Sequence, residues 1–374
     1  MAALAVSTLT ASAQSVVPKW INNVKLSGFG IVQYTYNGQE NNESNSFNLR
    51  LARLALDGRA FDDWYWKAQI QFNGNTSTLG SSPKLVDLFI EWQKYDFLRV
   101  KAGQFKNPFT YENPMHPIDQ GFMSYSQVIS KFAGFSDRAG AHSSNGRDIG
   151  VQLQGDFLKN ASGRNLIHYQ VGVFNGQGIN VKDVDQQKNI IGGAWVMPVE
   201  GMRLGAFGWI GSYARKGTSA SEGITNMPHA SRQRPRHRRL QQRRYAFSAE
   251  YKVDDWTFRS EYVHSTGYAF AKAMVNTNDA SAKDITLSSN GDKSQGVYAL
   301  VIAPIIKKKC HAKARYDMYQ PSKGAEKQRT QYEIGLDYYF NKNICLTGEY
   351  AYIHDRALAD PNYSMIDVEL SYRF

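Results

Sequence analysis

The chain has 374 residues, with 44 Lys and Arg against 33 Asp and Glu, a formal net charge of +11 and a mean hydropathy of −0.49. Aromatics make up 13%, yet no stretch approaches the roughly 20 apolar residues that a membrane-spanning helix needs. The two cysteines lack the CxxC spacing of a metal site, so neither a helical membrane protein nor a cysteine-rich scaffold fits.

The first residues, MAALAVSTLTASAQS, read as the end of a secretory signal peptide. Leu4 to Thr10 form its apolar stretch and Ala11-Ser12-Ala13 its small-residue cleavage site. Residues 1–13 are therefore expected to be a signal-peptide remnant and 14–23 an amino-terminal segment.

From residue 24 onward the chain alternates. Side chains of a strand point to opposite faces with period two. Alternation and turn signals predict strands at 24–37, 46–60, 63–73, 84–95, 97–107, 146–158, 165–175, 188–198, 201–215, 243–253, 256–266, 293–304, 307–320, 327–340, 343–355 and 363–374. Sixteen is an even number, as single-chain bacterial barrels require. Short turns such as Asp254-Asp255 alternate with longer segments such as 216–242, matching short periplasmic turns and longer outer loops. Aromatics gather beside the short turns (Trp64, Trp66, Trp92, Phe97, Trp256, Phe340), as in an interfacial girdle, and Tyr34, Tyr36, Tyr350 and Tyr352 would form a second one.

The predicted class is all-β: a transmembrane antiparallel β-barrel of about sixteen strands over residues 24–374, with a long inward-folding constriction loop at about 108–145. Its last strand shows the reason. Ile366, Val368, Leu370, Tyr372 and Phe374 share one face, and Asp367, Glu369, Ser371 and Arg373 the other, and this strand is expected to pair back to the first. Such a barrel implies the outer membrane of a Gram-negative bacterium.

Two strands break parity. Leu49 and Leu51 share a face, then Leu54 and Leu56 do, which predicts a bulge near Ala52 that keeps both Arg50 and Arg53 off the lipid. An Arg or Lys facing mid-bilayer lipid costs about 2–4 kcal/mol, so the bulge is the cheaper solution. A second bulge or bend is expected at Gly103. Cys310 and Cys345 fall on strands two apart and face opposite sides, so no disulfide is expected.

Inward positions carry both signs. Arg53, Lys67, Arg99, Lys101, Arg259 and Arg315 face Asp87, Glu91, Asp148, Glu261 and Glu349 across the same lumen. This pattern supports a polar channel more firmly than an anion-selective one. Segment 108–145 is too long for an ordinary connection and too apolar for a solvated one, with Phe109, Tyr111, Phe122, Ile129, Phe132 and Phe135. Lys106 at its entry, then Lys131, Arg138 and Arg147, would give it a cationic lining.

The stretches LRVKAGQFKNPFTYEN (Leu98–Asn113) and GRDIGVQLQGDF (Gly146–Phe157) resemble the phosphate-selective porin O/P family. Phe47–Phe72 and the final DVELSYRF resemble it too, while GQFKxPF and GRDxGV are the most specific pieces. The resemblance implies a sixteen-stranded outer-membrane porin, usually trimeric, that passes anions through a constriction lined by Arg and Lys. By analogy Lys106, Arg53 and Arg147 are the leading site residues, followed by Lys131, Arg138, Lys101, Arg99 and Lys67. Expected partners are small anionic or polar solutes, outer-membrane lipid and lipopolysaccharide, and two further copies of the chain in a homotrimer. No cofactor, metal or catalytic residue is expected.

Other readings differ in class. An outer-membrane barrel enzyme, a lipid hydrolase or deacylase, would draw on His116, Asp119, Ser124 and His142, but no GxSxG or HExxH motif accompanies them. An oligosaccharide-binding barrel is a third reading. The arginine-rich segment Ser231–Arg244 is a solvated loop or a cationic funnel at the mouth. Nucleic acid is not an expected partner, because no element for entering a groove is present.

Overall fold

Strands with one apolar and one polar face can leave no open edge in lipid, because each unpaired N–H and C=O there costs several kcal/mol. The chain solves this by closure. A computed structural model describes residues 18, 20–72, 83–135, 145–183, 186–216, 237–267, 269–270, 285–286 and 293–374. Sixteen antiparallel strands form one closed barrel in which each pairs with its sequence neighbours and the last pairs with the first. They are β1 (Ile21–Asn37), β2 (Ser44–Ala60), β3 (Trp64–Phe72), β4 (Lys84–Tyr95), β5 (Leu98–Lys106), β6 (Arg147–Lys159), β7 (Asn165–Phe174) and β8 (Asn189–Val196). The second half comprises β9 (Met202–Lys216), β10 (His237–Val253), β11 (Trp256–Gly267), β12 (Lys293–Ile306), β13 (Cys310–Gln320), β14 (Arg329–Asn341), β15 (Ile344–Asp355) and β16 (Asn362–Arg373). A separate two-residue ladder pairs Ala269–Phe270 with Ile285–Thr286.

Closure runs from Phe29↔Arg373 to Asn37↔Met365 between β1 and β16. On β16 the exposed Ile366, Val368, Leu370 and Tyr372 alternate with the less exposed Asp367, Glu369 and Ser371. The same alternation on β14 puts Tyr332, Ile334, Leu336, Tyr338 and Phe340 on the outside, with Glu333 and Asp337 buried within. Short turns close one end. Asp254 and Asp255 both take positive φ (51° and 74°), the backbone of a two-residue hairpin turn whose twist matches its strands. Rings stack beside these turns: Trp20 on Phe61 at 5.2 Å, Tyr95 on Phe97 at 5.4 Å and Trp256 on Phe258 at 5.7 Å.

Three sequence expectations shift. The bulge in β2 lies at Arg50 itself: Ile31 opposes Leu51 and Val32 opposes Leu49, so Arg50 is the extra residue. Both Arg50 and Arg53 then turn inward while Leu49 and Leu54 stay outside. At Gly103 no residue is inserted, since the ladders to β4 and β6 run through it; the irregularity between β4 and β5 falls at Trp92/Tyr95. Gly103 instead has φ +133°, and a Cβ there would sit 2.2 Å from the Leu88 carbonyl oxygen. Finally, β10 begins at His237, so the arginine-rich run enters the barrel wall instead of ending as a loop. Backbone pairing above the lipid needs no apolar face, which is why alternation failed to signal it. The expectations for residues 1–13, 14–17, Arg138, His142 and 231–236 lie outside the described residues. Both cysteines are free.

Candidate functional site

The segment after β5 is held by the inner wall. A buried stretch with little regular structure must satisfy its main-chain groups from elsewhere, or each costs about 1–3 kcal/mol. Carboxylates on the wall accept its N–H groups. Glu261 accepts from Tyr111 N at 3.0 Å and Glu112 N at 2.7 Å, Glu349 from Met123 N at 3.0 Å, and Asp317 from Gln127 N at 2.8 Å. Cations on the wall donate to its carbonyls. Lys106 Nζ reaches Met115 O at 2.6 Å, Arg259 Nη1 reaches Gln120 O at 2.8 Å, and Lys313 Nζ reaches Gly121 O at 2.8 Å. Arg50 donates to Met123 O and Arg244 to Phe132 O.

Side chains of the same segment bury against an apolar sector of the wall. Phe109 lies edge-on to Trp209 at 5.5 Å and Phe132 edge-on to Tyr319 at 5.5 Å. Phe109, Val128, Ile129 and Phe132 are fully buried beside Phe174, Ile191, Phe207 and Leu300. Each such ring or branched chain contributes about 1.5–3 kcal/mol. Within the segment a short helix, α1 (Gln127–Phe132), is capped by Ser126, whose hydroxyl accepts from Ile129 N and donates to Glu112 at 2.8 Å. Asn113 ties the two ends of the segment, donating to Asn107 O at 3.0 Å and Gly146 O at 3.2 Å. Several charged wall residues are therefore paired twice, once to a wall partner and once to this segment. Arg315 holds Glu333 and Ser124, while Lys313 holds Asp337 at 2.8 Å, Glu349 at 2.6 Å and Gly121.

The sequence-predicted site residues divide into two groups. Arg53, Lys67, Lys106 and Arg147 come together: Lys106 lies in the field of the other three and of Asp87. Asp87 binds Arg147 at 2.7 and 3.2 Å, and it is the one carboxylate bonded to any of the four among the described residues. Four cations against one carboxylate leave a local formal excess of three positive charges. Arg53 donates from Nε to Gln71 at 2.9 Å, while its Nη2 is buried with no partner among the described residues. The other group is dispersed. Arg99 pairs with Asp156, Lys101 lies 3.7 Å from Glu91 and over the Phe89 ring, and Lys131 lies over the Tyr319 ring.

Of the residues considered for an enzyme, the described ones, His116, Asp119 and Ser124, each have another partner. His116 packs against Phe29 and accepts from Ile118 N, Asp119 pairs with Arg373, and Ser124 bonds Glu333 and Arg315. Burial holds the His116 imidazole down at about 4, with Lys106 and Arg53 lowering it further and Asp119 opposing. Burial pushes the Tyr111 phenol up, and Glu250 adds to the rise.

Alternation marks Arg244 as inward-facing but not its place over Trp209 at 4.5 Å, and it leaves out Arg203, which stands over Tyr111 at 4.0 Å. A signal for Arg203 existed: it shares parity with Phe207 and Trp209, so one face of β9 carries all three.

A cavity of about 490 Å³ lies between the segment and the wall toward the short-turn end, lined among others by His116, Phe122, Lys252, Asp255, His311 and Thr347.

Residues 27–189 match the family model described as phosphate-selective porin O and P. No curated protein matches the chain. Among solved structures, an anion-selective porin from Comamonas acidovorans is 12% identical, covers 94% of this chain and 99% of its own, and superposes with a TM-score of 0.64. The high-pH structure of OprB from Pseudomonas putida is 10% identical over 98% of this chain and 97% of its own, with a TM-score of 0.60. A trimer form of OmpT from Vibrio cholerae is 12% identical over 94% and 99%, with a TM-score of 0.57. The matched segment and the closed sixteen-strand fold both resemble outer-membrane porins of Gram-negative bacteria.

Proposed function

We propose that the barrel is a passive channel for small solutes that prefers anions, phosphate or other small oxyanions among them, and that it performs no catalysis. One observation carries the preference: the cluster of Arg53, Lys67, Lys106 and Arg147 around Asp87. Fixed positive charge at a narrowing, with low-dielectric walls, attracts anions and repels cations. Lys67 and Lys106 are half-buried at the edge of this cluster, and the buried Arg53 Nη2 adds an unanswered donor.

In this reading the barrel is residues 24–374, extended at its start to Ile21, and the segment between β5 and β6 is the constriction. Lys106 has two roles there, supporting the segment through Met115 and facing the anion. Lys131 and Arg138 act as accessory cations of the constriction, while Arg99 and Lys101 charge the wall toward the short turns. The protein assembles as a homotrimer, a form for which the Vibrio cholerae OmpT structure is a precedent, with lipid and lipopolysaccharide around its apolar belt. Reversal potential in a KCl gradient across a planar bilayer tests the preference. Chloride should permeate better than potassium, and neutralising Lys106 and Arg53 should move the reversal potential toward zero.

A further inference from the structure

We propose that Arg203 is a second oxyanion station, near the short-turn end of the barrel, for solutes that bear a phosphate or a carboxylate. The proposal rests on the anion-channel reading above and extends it to a residue outside the Lys106 cluster.

Arg203 of β9 stands opposite Glu250 of β10 in register, the arrangement in which a cross-strand ion pair is expected. No such pair forms. Glu250 is already engaged by Arg259 Nε at 2.8 Å, by the Tyr111 hydroxyl at 2.9 Å and by Lys252 Nζ at 3.6 Å. The guanidinium lies over aromatic rings instead, 4.0 Å from the Tyr111 ring centre and 5.5 Å from that of Trp195. Trp195 is itself fixed by a stacked His168 at 4.0 Å. Arg203 has no hydrogen bond or ion pair among the described residues, and it is only half-buried.

A guanidinium held by aromatic faces keeps its N–H edge free, and that edge is a rigid fork matched to an oxyanion. Arg259 and Lys252 share Glu250; Glu261 and Glu112 lie beside Tyr111 and Arg259, and Lys252 is half exposed beside the cavity. Arg203 is the second residue of β9 after its short turn, whereas Lys106 is the ninth and last of β5. At about 3.3 Å per residue and a tilt near 40°, the two stations differ in height by roughly 20 Å. Oxyanions would meet one cation site at the narrowing and another before release.

The test uses the full chain inserted in one orientation in planar bilayers. Chloride current is blocked by inorganic phosphate or by benzoate, added to one chamber at a time. Arg203→Gln is expected to weaken block from the short-turn side about tenfold and from the other side less than twofold, a tenfold change being about 1.4 kcal/mol. Lys106→Gln should show the opposite asymmetry. Arg203→Lys keeps charge and stem but lacks the fork, and should weaken short-turn block at least about threefold. Loss for phosphate alone or benzoate alone identifies which oxyanion the fork accepts. Unchanged block in both Arg203 variants, with Lys106→Gln still effective, overturns the second station and leaves the channel reading intact. A cation-selective current in the unmodified protein overturns the channel reading itself.

Discussion

Arg315 donates from Nη1 to the carbonyl oxygen of Ser124 at 3.0 Å and from Nη2 to its hydroxyl at 2.8 Å. The same guanidinium grips Glu333 from Nε and Nη2. Wall and segment are thus joined through one buried arginine. The charged inner face has a structural task before it has any electrostatic one: it completes the hydrogen bonding of a chain segment that runs through the barrel without a sheet of its own.

Removing that joint should be costly. Arg315→Ala leaves Glu333 buried and unpaired, a loss of about 3–5 kcal/mol. Paired replacement, Arg315→Met with Glu333→Leu, should cost much less. The temperature of heat-modifiable gel migration separates the two, and the single variant should also conduct more as the segment loosens.

Gly103→Ala should fail to form the barrel in good yield. Its φ of +133° disfavours any side chain, and the new Cβ would meet the Leu88 carbonyl at 2.2 Å. Refolding into detergent, read on the same gel, should show a loss of at least about 2 kcal/mol or no folded band.

Docking of the segment should weaken in acid. His116 is held at about 4, below its ordinary value near 6.5, so the native state favours the neutral ring. A group whose native pKa is lowered contributes its full stability above the unfolded value and loses it as pH falls toward the native one. The window is therefore pH 6.5 down to 4. Channel noise or conductance should change across that window in the unmodified protein, and His116→Phe should flatten the response.

The outer face should reject charge by depth. Leu336 is exposed at the middle of β14, so Leu336→Arg should cost about 2–4 kcal/mol in lipid.

Much of this was legible in the residues. Period-two alternation located sixteen strands because lipid and water impose opposite demands on the two faces, and β4 agrees at both ends, at Lys84 and Tyr95. Where lipid imposes nothing, the signal vanished: β10 extends to His237, its backbone paired with β9 through Arg238 and Arg239. The parity slip in β2 was visible, since an arginine cannot face lipid, although the bulge sits at Arg50 and not at Ala52. Alternation and loop position marked Arg53, Lys67, Lys106 and Arg147 as inward or lining cations, but not their meeting at one place, because proximity across β2, β3, β5 and β6 depends on barrel register. The hold of Arg244 and Arg259 on carbonyls of the segment had no sequence signal, for a main-chain acceptor is the same at every residue.

In the proposed reading the Arg53, Lys67, Lys106 and Arg147 cluster gives the channel its preference for anions. Reversal potential in a tenfold KCl gradient, measured on the unmodified protein and on Lys106→Gln with Arg53→Gln, tests it most directly. Chloride should be favoured over potassium by at least about threefold, falling toward unity in the double variant while the barrel still migrates as folded. A potassium-preferring channel, or a preference unmoved by the double variant, would contradict it.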